Sequence, residues 1–291
     1  MKRSIWWGAL ASFLLTAGLA AAQTSAPPAP AAIAPPGEGM IEQPCPAIKP
    51  VAPDSLPEPG KPAKLSPEFL QFYAATKVYT GKYDWPWMCR YRAANAAAAG
   101  AKRPHVVFMG DSITELWALY DPGFFAGANA DRGISGQTSP QMLLRFYQDV
   151  VALRPRVVHI LAGTNDIAGN TGPTDAEAFK NNIRAMVELA QANNIRVVLG
   201  SILPVDTFPW APKLKPAPQI LALNAWLKAY AAQRGAIYAD YYGAMVDASS
   251  GGLRKDLTFD GVHPATQGYR IMRGVAEKAL ALALVRKRPT P

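Results

Sequence analysis

The sequence predicts an α/β fold for residues 101–288, built on a parallel sheet with helices on both faces. Three observations lead there. Short β-branched runs alternate with longer segments whose apolar residues recur at helical spacing, and that alternation implies right-handed βαβ crossovers. The runs Val106–Met109 and Val157–Leu161 are almost wholly apolar, as strands covered on both faces are. Small and polar residues gather directly after these runs, at the carboxyl edge where open parallel sheets place their sites.

At the N-terminus, Lys2 and Arg3 precede an apolar stretch from Ile5 to Leu19, and Ala20-Ala21-Ala22 follows it. A charged start, an apolar middle and a small-residue end form a secretory signal peptide over 1–22, with cleavage after Ala22. The apolar part is short for a membrane span, which needs about 20 residues. The expectation is an exported protein, periplasmic or secreted. Residues 23–64 are dense in Pro and Ala, with few large apolar side chains and no period. Such a segment buries too little surface to offset its ordering entropy and reads as an extended, mobile linker.

Residues 65–100 recover aromatic content and read as a helical extension. Ser66-Pro67-Glu68 opens a helix, with Ser as cap and Pro in the first turn, and Tyr91 to Ala99 forms a second. The rings either pack on the main domain or, at Trp85 and Trp87, offer a sugar-stacking platform. Cys45 and Cys89 are the two cysteines of the chain. In an oxidising compartment they can pair, and without a histidine cluster they argue against structural zinc. Their pairing stays open at this stage.

From Ala101 onward the strands are Val106–Met109, Val157–Leu161, Ile195–Leu203 and Ala236–Asp240. The helices between them carry Met142, Leu143, Phe146 and Val150; then Phe179, Ile183, Met186, Val187 and Ala190; then Ile220, Leu223, Trp226, Leu227 and Tyr230. The second of these starts at Thr174-Asp175-Ala176-Glu177, a capping box. A last helix spans roughly Pro264 to Val285.

The strand ends carry the chemistry. Val106–Met109 runs into Gly110-Asp111-Ser112, where Gly110 permits a sharp exit and Ser112 stands at a helix start, facing unpaired N–H groups and a positive dipole end. A serine hydroxyl needs a base, and imidazole suits because its pKa lies near operating pH. His105 leads into a strand and His159 sits inside one. His263 alone lies on a loop, in Asp260-Gly261-Val262-His263-Pro264, where Asp260 can bond the second ring nitrogen. Donors for an oxyanion are the Ser112 N–H, the Gly136 N–H and the Asn165 amide. Each of these also has an ordinary role as turn, cap or Asx residue. Their joint placement at successive strand ends favours acyl-transfer chemistry.

These motifs resemble the SGNH hydrolase superfamily, the GDSL-type esterases and lipases. Gly110-Asp111-Ser112-Ile113 matches the nucleophile block, Ile134-Ser135-Gly136 the glycine donor, Gly163-Thr164-Asn165-Asp166 the asparagine donor, and Asp260 with His263 the Asp-x-x-His pair. Ile113 stands where the family name has Leu. The Gly-Ile-Ser-Gly-Gln-Thr and Ala-Gly-Thr-Asn-Asp wording is similar to bacterial relatives of the platelet-activating-factor acetylhydrolase catalytic subunits. The resemblance implies a flavodoxin-like, three-layer α/β/α sandwich with about five parallel strands. It also implies metal-independent hydrolysis through an acyl-serine, with no cofactor.

The expected function is therefore an exported carboxylic ester hydrolase. The absence of a long apolar lid favours short acyl groups, acetyl first. Trp210, in the loop Asp206–Ala217, packs against substrate or pins a Pro-rich loop. An acylated saccharide is one candidate substrate. An acyltransferase acting on a saccharide hydroxyl and a non-catalytic saccharide-binding module are the alternative functions. The chain has 30 Lys and Arg against 21 Asp and Glu, a formal charge of +9, with Arg286-Lys287-Arg288 in the tail. That balance favours peripheral contact with anionic envelope surfaces. No nucleic-acid recognition motif is present.

Overall fold

The computed structural model describes residues 45–46, 51–100 and 103–285. The expected signal peptide, most of the Pro-rich stretch and the basic tail lie outside these residues. Five parallel strands form one sheet: β1 (Val106–Gly110), β2 (Asn129–Gly133), β3 (Val157–Leu161), β4 (Arg196–Gly200) and β5 (Ile237–Ala239), in the order β2-β1-β3-β4-β5. The fold is the α/β sandwich expected. Val106 pairs with Asn129 on one side and Val157 on the other, so β1 and β3 lie at the centre, in register.

Alternate strand residues feed two cores, as a period of two requires. Val107, Met109, Val158, Ile160, Val197 and Leu199 face helices α5 (Ser139–Asp149), α7 (Ala176–Ala192) and α8 (Ala217–Gln233), which contribute Phe146, Phe179, Ile183, Ile220 and Leu227. Val106, Phe108, Val157, Leu161 and Val198 face α3 (Ser112–Tyr120), α4 (Pro122–Phe125), α9 (Tyr241–Met245) and α10 (Thr266–Val285), with Trp117, Tyr241, Tyr269 and Met272. The chain leaves β1 to build β2 on one side, then returns to build β3 on the other. This is a topological switch point, and it opens a crevice at the carboxyl ends of β1 and β3.

Several boundaries differ from the sequence reading. β2 is a fifth strand that the pattern does not reveal: Asn-Ala-Asp-Arg-Gly has no apolar alternation, because an edge strand need not be apolar on both faces. Its edge is covered by the extension, through Tyr91 Oη donating to the Gly133 carbonyl (2.5 Å) and Arg132 Nε donating to Asn95 Oδ1 (2.8 Å). β4 ends at Gly200 rather than Leu203. The capping box at Thr174 is corrected: Asp175 is the N-cap of α7, accepting from Ala178 N–H at 2.7 Å, and Glu177 bonds Lys180 instead. Asp stands one residue nearer the helix, and its carboxylate takes the free N–H at the positive end of the helix.

The extension folds as helices α1 (Pro67–Lys82) and α2 (Arg92–Gly100). Ser66 Oγ caps α1 by accepting from Phe69 N–H at 3.1 Å. Cys45 and Cys89 are joined in a disulfide, with Cα atoms 5.5 Å apart. Residues 51–64 depart from the mobile linker expected there. They turn back on themselves through the antiparallel bridges Ser55–Lys64 and Glu58–Lys61, and Tyr120 Oη and Thr266 Oγ1 donate to Pro57 O and Glu58 Oε1. Backbone pairing and these two anchors order a segment whose apolar content alone does not. Among the described residues no helix is long and apolar enough to cross a membrane, and no group of three or more His, Cys, Asp or Glu side chains gathers as a metal site.

Candidate active site

Ser112 is placed by a turn that admits little variation. A Cβ on Gly110 would lie 2.0 Å from Thr114 Oγ1, so only glycine lets the strand end directly under the first turn of α3. Asp111 caps the helix, its Oδ1 accepting from Ile113 N–H at 2.9 Å. Ser112 is then the first helical residue, 9 % exposed, with its hydroxyl at the positive end of the helix.

Opposite it stands the loop before α10. Thr258 Oγ1 accepts from the N–H groups of Asp260 (3.3 Å) and Gly261 (2.9 Å) and donates to the His263 carbonyl at 2.7 Å, closing a tight turn. Gly261 takes φ +85° there, a region glycine enters without strain. Asp260 Oδ1 accepts from Val262 N–H (2.9 Å) and His263 N–H (2.8 Å), while Oδ2 lies 2.8 Å from His263 Nδ1. His263 Nε2 is 2.8 Å from Ser112 Oγ. The Phe259 ring stacks on the imidazole at 5.7 Å. All three sequence-predicted residues thus form one hydrogen-bonded line, across 151 residues of chain between Ser112 and His263.

Electrostatics follow from burial and charge. Burial opposes protonation of His263, but the charge and hydrogen bond of Asp260, with the charge of Asp111, outweigh it and raise its pKa. Burial likewise opposes ionisation of Asp260, yet His263 and the two backbone donors hold its carboxyl below the usual range. Burial pushes Asp111 up to about 6, against the Ile113 N–H it accepts and the charge of His263. His159, inside β3, is driven down to about 3 by burial and bonds Tyr241 Oη at 2.7 Å. It is a neutral core residue, as its place inside a strand suggested.

The donors expected for an oxyanion are also at the crevice. Gly136, after β2, has φ +79° and lines the cavity together with Ser112, Asn165 and His263. Asn165, after β3, is held more tightly than expected. Its Nδ2 donates to Asp111 Oδ2 (3.1 Å) and Gln137 O (3.0 Å), and its Oδ1 accepts from Asn170 Nδ2 (2.5 Å). Both amide hydrogens therefore have protein partners, and an oxyanion has to share one of them. Trp210 is nearly buried, at 6 % exposed; it lines the cavity while its indole N–H donates to Asn170 Oδ1 at 3.1 Å. The hydrogen bond holds the ring in place at the cavity wall.

Three supports escape sequence reasoning. Arg145 is fully buried and reaches Gly110 O (3.0 Å), Gln137 Oε1 (2.6 Å) and Asp149 (2.9 Å), tying α5 to the end of β1. Its signal is present in the sequence, because positions 142, 145, 146 and 149 share one helical face and two of them are oppositely charged. Glu115 Oε2 accepts from Ser135 N–H (2.8 Å) and Oγ–H (2.6 Å), and Arg90 of the extension donates to Glu115 Oε1 at 3.0 Å. Asp131 accepts from Tyr91 Oη at 3.1 Å and Gly133 N–H at 2.7 Å, and burial pushes it up to about 7. The crevice opens into a cavity of about 300 Å³.

A serine bonded to a histidine bonded to a buried carboxylate, at the switch point of a parallel sheet with backbone donors nearby, is an arrangement suited to hydrolytic acyl transfer. The profile of the GDSL-like lipase/acylhydrolase family matches residues 108–271, and the chain belongs to that family. It is a carboxylic ester hydrolase. A Bacteroides fragilis protein assigned as an acylhydrolase is 45 % identical, with TM-score 0.66, covering 70 % of this chain and 100 % of its own. A GDSL-like lipase from Bacteroides thetaiotaomicron is 44 % identical, with TM-score 0.65, covering 69 % and 100 %. A Streptococcus pneumonia protein assigned as a platelet activating factor, at 23 % identity and TM-score 0.61 over 72 % of this chain and 97 % of its own, shares the fold. No curated protein matches.

Proposed function

We propose that the chain is an exported serine esterase acting on compact carboxylic esters with a short acyl group. The observation that carries this reading is the line Ser112 Oγ, His263 Nε2, His263 Nδ1, Asp260 Oδ2, with 2.8 Å at each hydrogen bond, beside the cavity. His263 takes the proton of Ser112 as the hydroxyl oxygen bonds the acyl carbon. The carbonyl oxygen becomes an anion held by the N–H groups of Ser112 and Gly136 and by Asn165, which shares the hydrogen it otherwise gives to Asp111. The carbon–oxygen bond to the alcohol breaks, and the alcohol leaves with the proton from His263. Water then gives a proton to His263 and its oxygen to the acyl carbon; the acid departs, and Ser112 regains its proton.

A cavity of about 300 Å³ is at the small end of ligand sites, which run from roughly 300 to 1,000 Å³. That size supports short acyl groups over long-chain fats. The test is turnover of p-nitrophenyl esters from acetate to octanoate, with a fluorophosphonate probe to mark the reactive serine. Rates are expected to fall with acyl length, and Ser112→Ala is expected to lose both turnover and label. Label on another residue, or wild-type turnover by the variant, would overturn the assignment. Export is tested separately: cell fractionation should find a mature chain beginning at Gln23 outside the cytoplasm.

A further inference from the structure

The cavity over Ser112 has a wall that the catalytic chemistry does not explain. Phe69 and Phe72 of α1 and Trp87 of the loop before α2 line it, facing the same space as Leu116 and Leu119 of α3. The three rings come from the extension, outside residues 108–271 that the family profile matches. They contact one another, with Phe72 centred 6.4 Å from Phe69 and 6.3 Å from Trp87.

The wall is fixed in place. Trp87 takes φ +50°, a left-handed conformation unusual for a bulky residue. The backbone around it is clamped on both sides: Asp84 accepts from Met88 N–H (2.8 Å) and Cys89 N–H (3.0 Å). From the main domain, Gln137, Gln141 and Gln148 each donate at 2.7 Å to the carbonyls of Pro86, Trp85 and Met88. Residue 89 is further tied to Cys45 by the disulfide. Trp87 itself is 8 % exposed, whereas Trp85 is 43 % exposed and does not line the cavity, so the two do not make a shared platform for a sugar. A strained position held by so many bonds marks a surface built for contact.

We infer that Phe69, Phe72 and Trp87 form a subsite for a compact apolar ring carried by the ester, so that the extension sets substrate choice. The inference rests on the esterase reading. An ester whose carbonyl carbon is at Ser112 must extend its remaining parts into this same cavity. Rings and leucines hold an apolar group there by excluding water, and binding away from the reacting bond raises kcat/KM. A saccharide set against these three rings and two leucines would leave hydroxyls unpaired on that wall and would have to turn toward the polar lining at Lys77, Arg90 and Glu115. The ring can belong to the alcohol, beside a short acyl group, or to the acid as a compact arylacetyl group.

The experiment compares kcat/KM of the full mature protein for ethyl acetate, benzyl acetate (ring on the alcohol), ethyl phenylacetate (ring on the acid) and a methyl O-acetylglucoside. Ethanol and benzyl alcohol are of similar acidity, so a preference between their acetates reports binding. At least one ring ester is expected to exceed ethyl acetate by roughly tenfold, and which one does so identifies the side that enters the subsite. Phe72→Ala should bring that ratio down by severalfold. Leu119→Gln, at a position 38 % exposed and so tolerant of change, should lower it as well and serves if the first variant does not fold. Ring esters no better than ethyl acetate, a preferred acetylglucoside, or a ratio unmoved by both variants would overturn the subsite and leave the esterase reading standing. No turnover of any ester, p-nitrophenyl acetate included, would overturn the esterase reading and the subsite with it.

Discussion

Replacing Asp260 by Asn isolates what the buried carboxylate does. Its side chain is 1 % exposed and accepts three hydrogen bonds, two from backbone and one from His263 Nδ1. Asparagine keeps the shape and an acceptor for the backbone but removes the charge that stabilises imidazolium. Opposite charges about 4 Å apart interact by about 4 kcal/mol at an effective dielectric of about 20. At about 1.4 kcal/mol per tenfold this is a loss of roughly 10³ in rate. The amide hydrogens also favour the tautomer that carries its proton on Nε2, where it donates to Ser112 instead of accepting. A total loss of roughly 10³ to 10⁴ in kcat/KM is expected, comparable to the loss known for the same change in a Ser-His-Asp protease.

The pH profile separates this from simple misfolding. His263 must be neutral to act as base, so activity rises with pH through its pKa, which Asp260 holds above the usual histidine value. Without that charge, burial is opposed only by the weaker influence of Asp111 and the pKa falls, so the rising limb of the variant should move to lower pH. The assay is p-nitrophenyl acetate hydrolysis from pH 5 to 9, with circular dichroism as a check on folding. A folded variant keeping more than about a tenth of wild-type kcat/KM, or an unshifted limb, would refute the reasoning.

Three further outcomes are expected. Glu115→Gln weakens the hold on Ser135 and on Arg90 and should lower kcat by about tenfold with little change in KM, since the adjacent Gly136 N–H acts only on the developing anion; a pure KM effect would count against it. Cys89→Ser opens a cross-link spanning 44 residues, for which chain entropy gives about 4 kcal/mol, so the extension should unfold at lower temperature and dithiothreitol should have the same effect on wild type. Burial pushes the Asp131 carboxyl up to about 7 from its ordinary value of 3.8, so the folded state binds the extra proton and its stability falls as pH rises between these values. Wild-type Tm should thus be lower at pH 8 than at pH 5, and Asp131→Asn should narrow the gap; an identical pH dependence in the two proteins would refute the assignment.

Legibility in the sequence followed burial. β1 and β3 are readable because both faces are covered and every position is apolar or nearly so, and the residues after them are readable because turn and acyl-transfer chemistry restrict residue type. β2 was invisible since its polar residues bond to the extension, and the extension's placement was unknown from the sequence. Arg145 and Glu115 look like ordinary helix charges until the turns they reach are in position. The wall over Ser112 depends on a tryptophan in a left-handed conformation held by three glutamines and an aspartate, none of which has a local signature. The pairing of Cys45 with Cys89 has no local signature either, because the two lie 44 residues apart and meet only in the folded chain.

Ser112 and His263 stand 151 residues apart, one after the first strand of the sheet and the other before the last helix. Ribosomes add roughly 5 to 20 residues per second, so roughly 8 to 30 s of synthesis separate the two residues. During that interval the growing chain holds its serine without a base. A product that stops short of residue 263 contains all five strands and, on the proposed mechanism, should be inert towards esters. On the proposed mechanism, the onset of ester turnover in a synthesis time course would report that the chain has been made through His263 and that its loop has closed on Ser112.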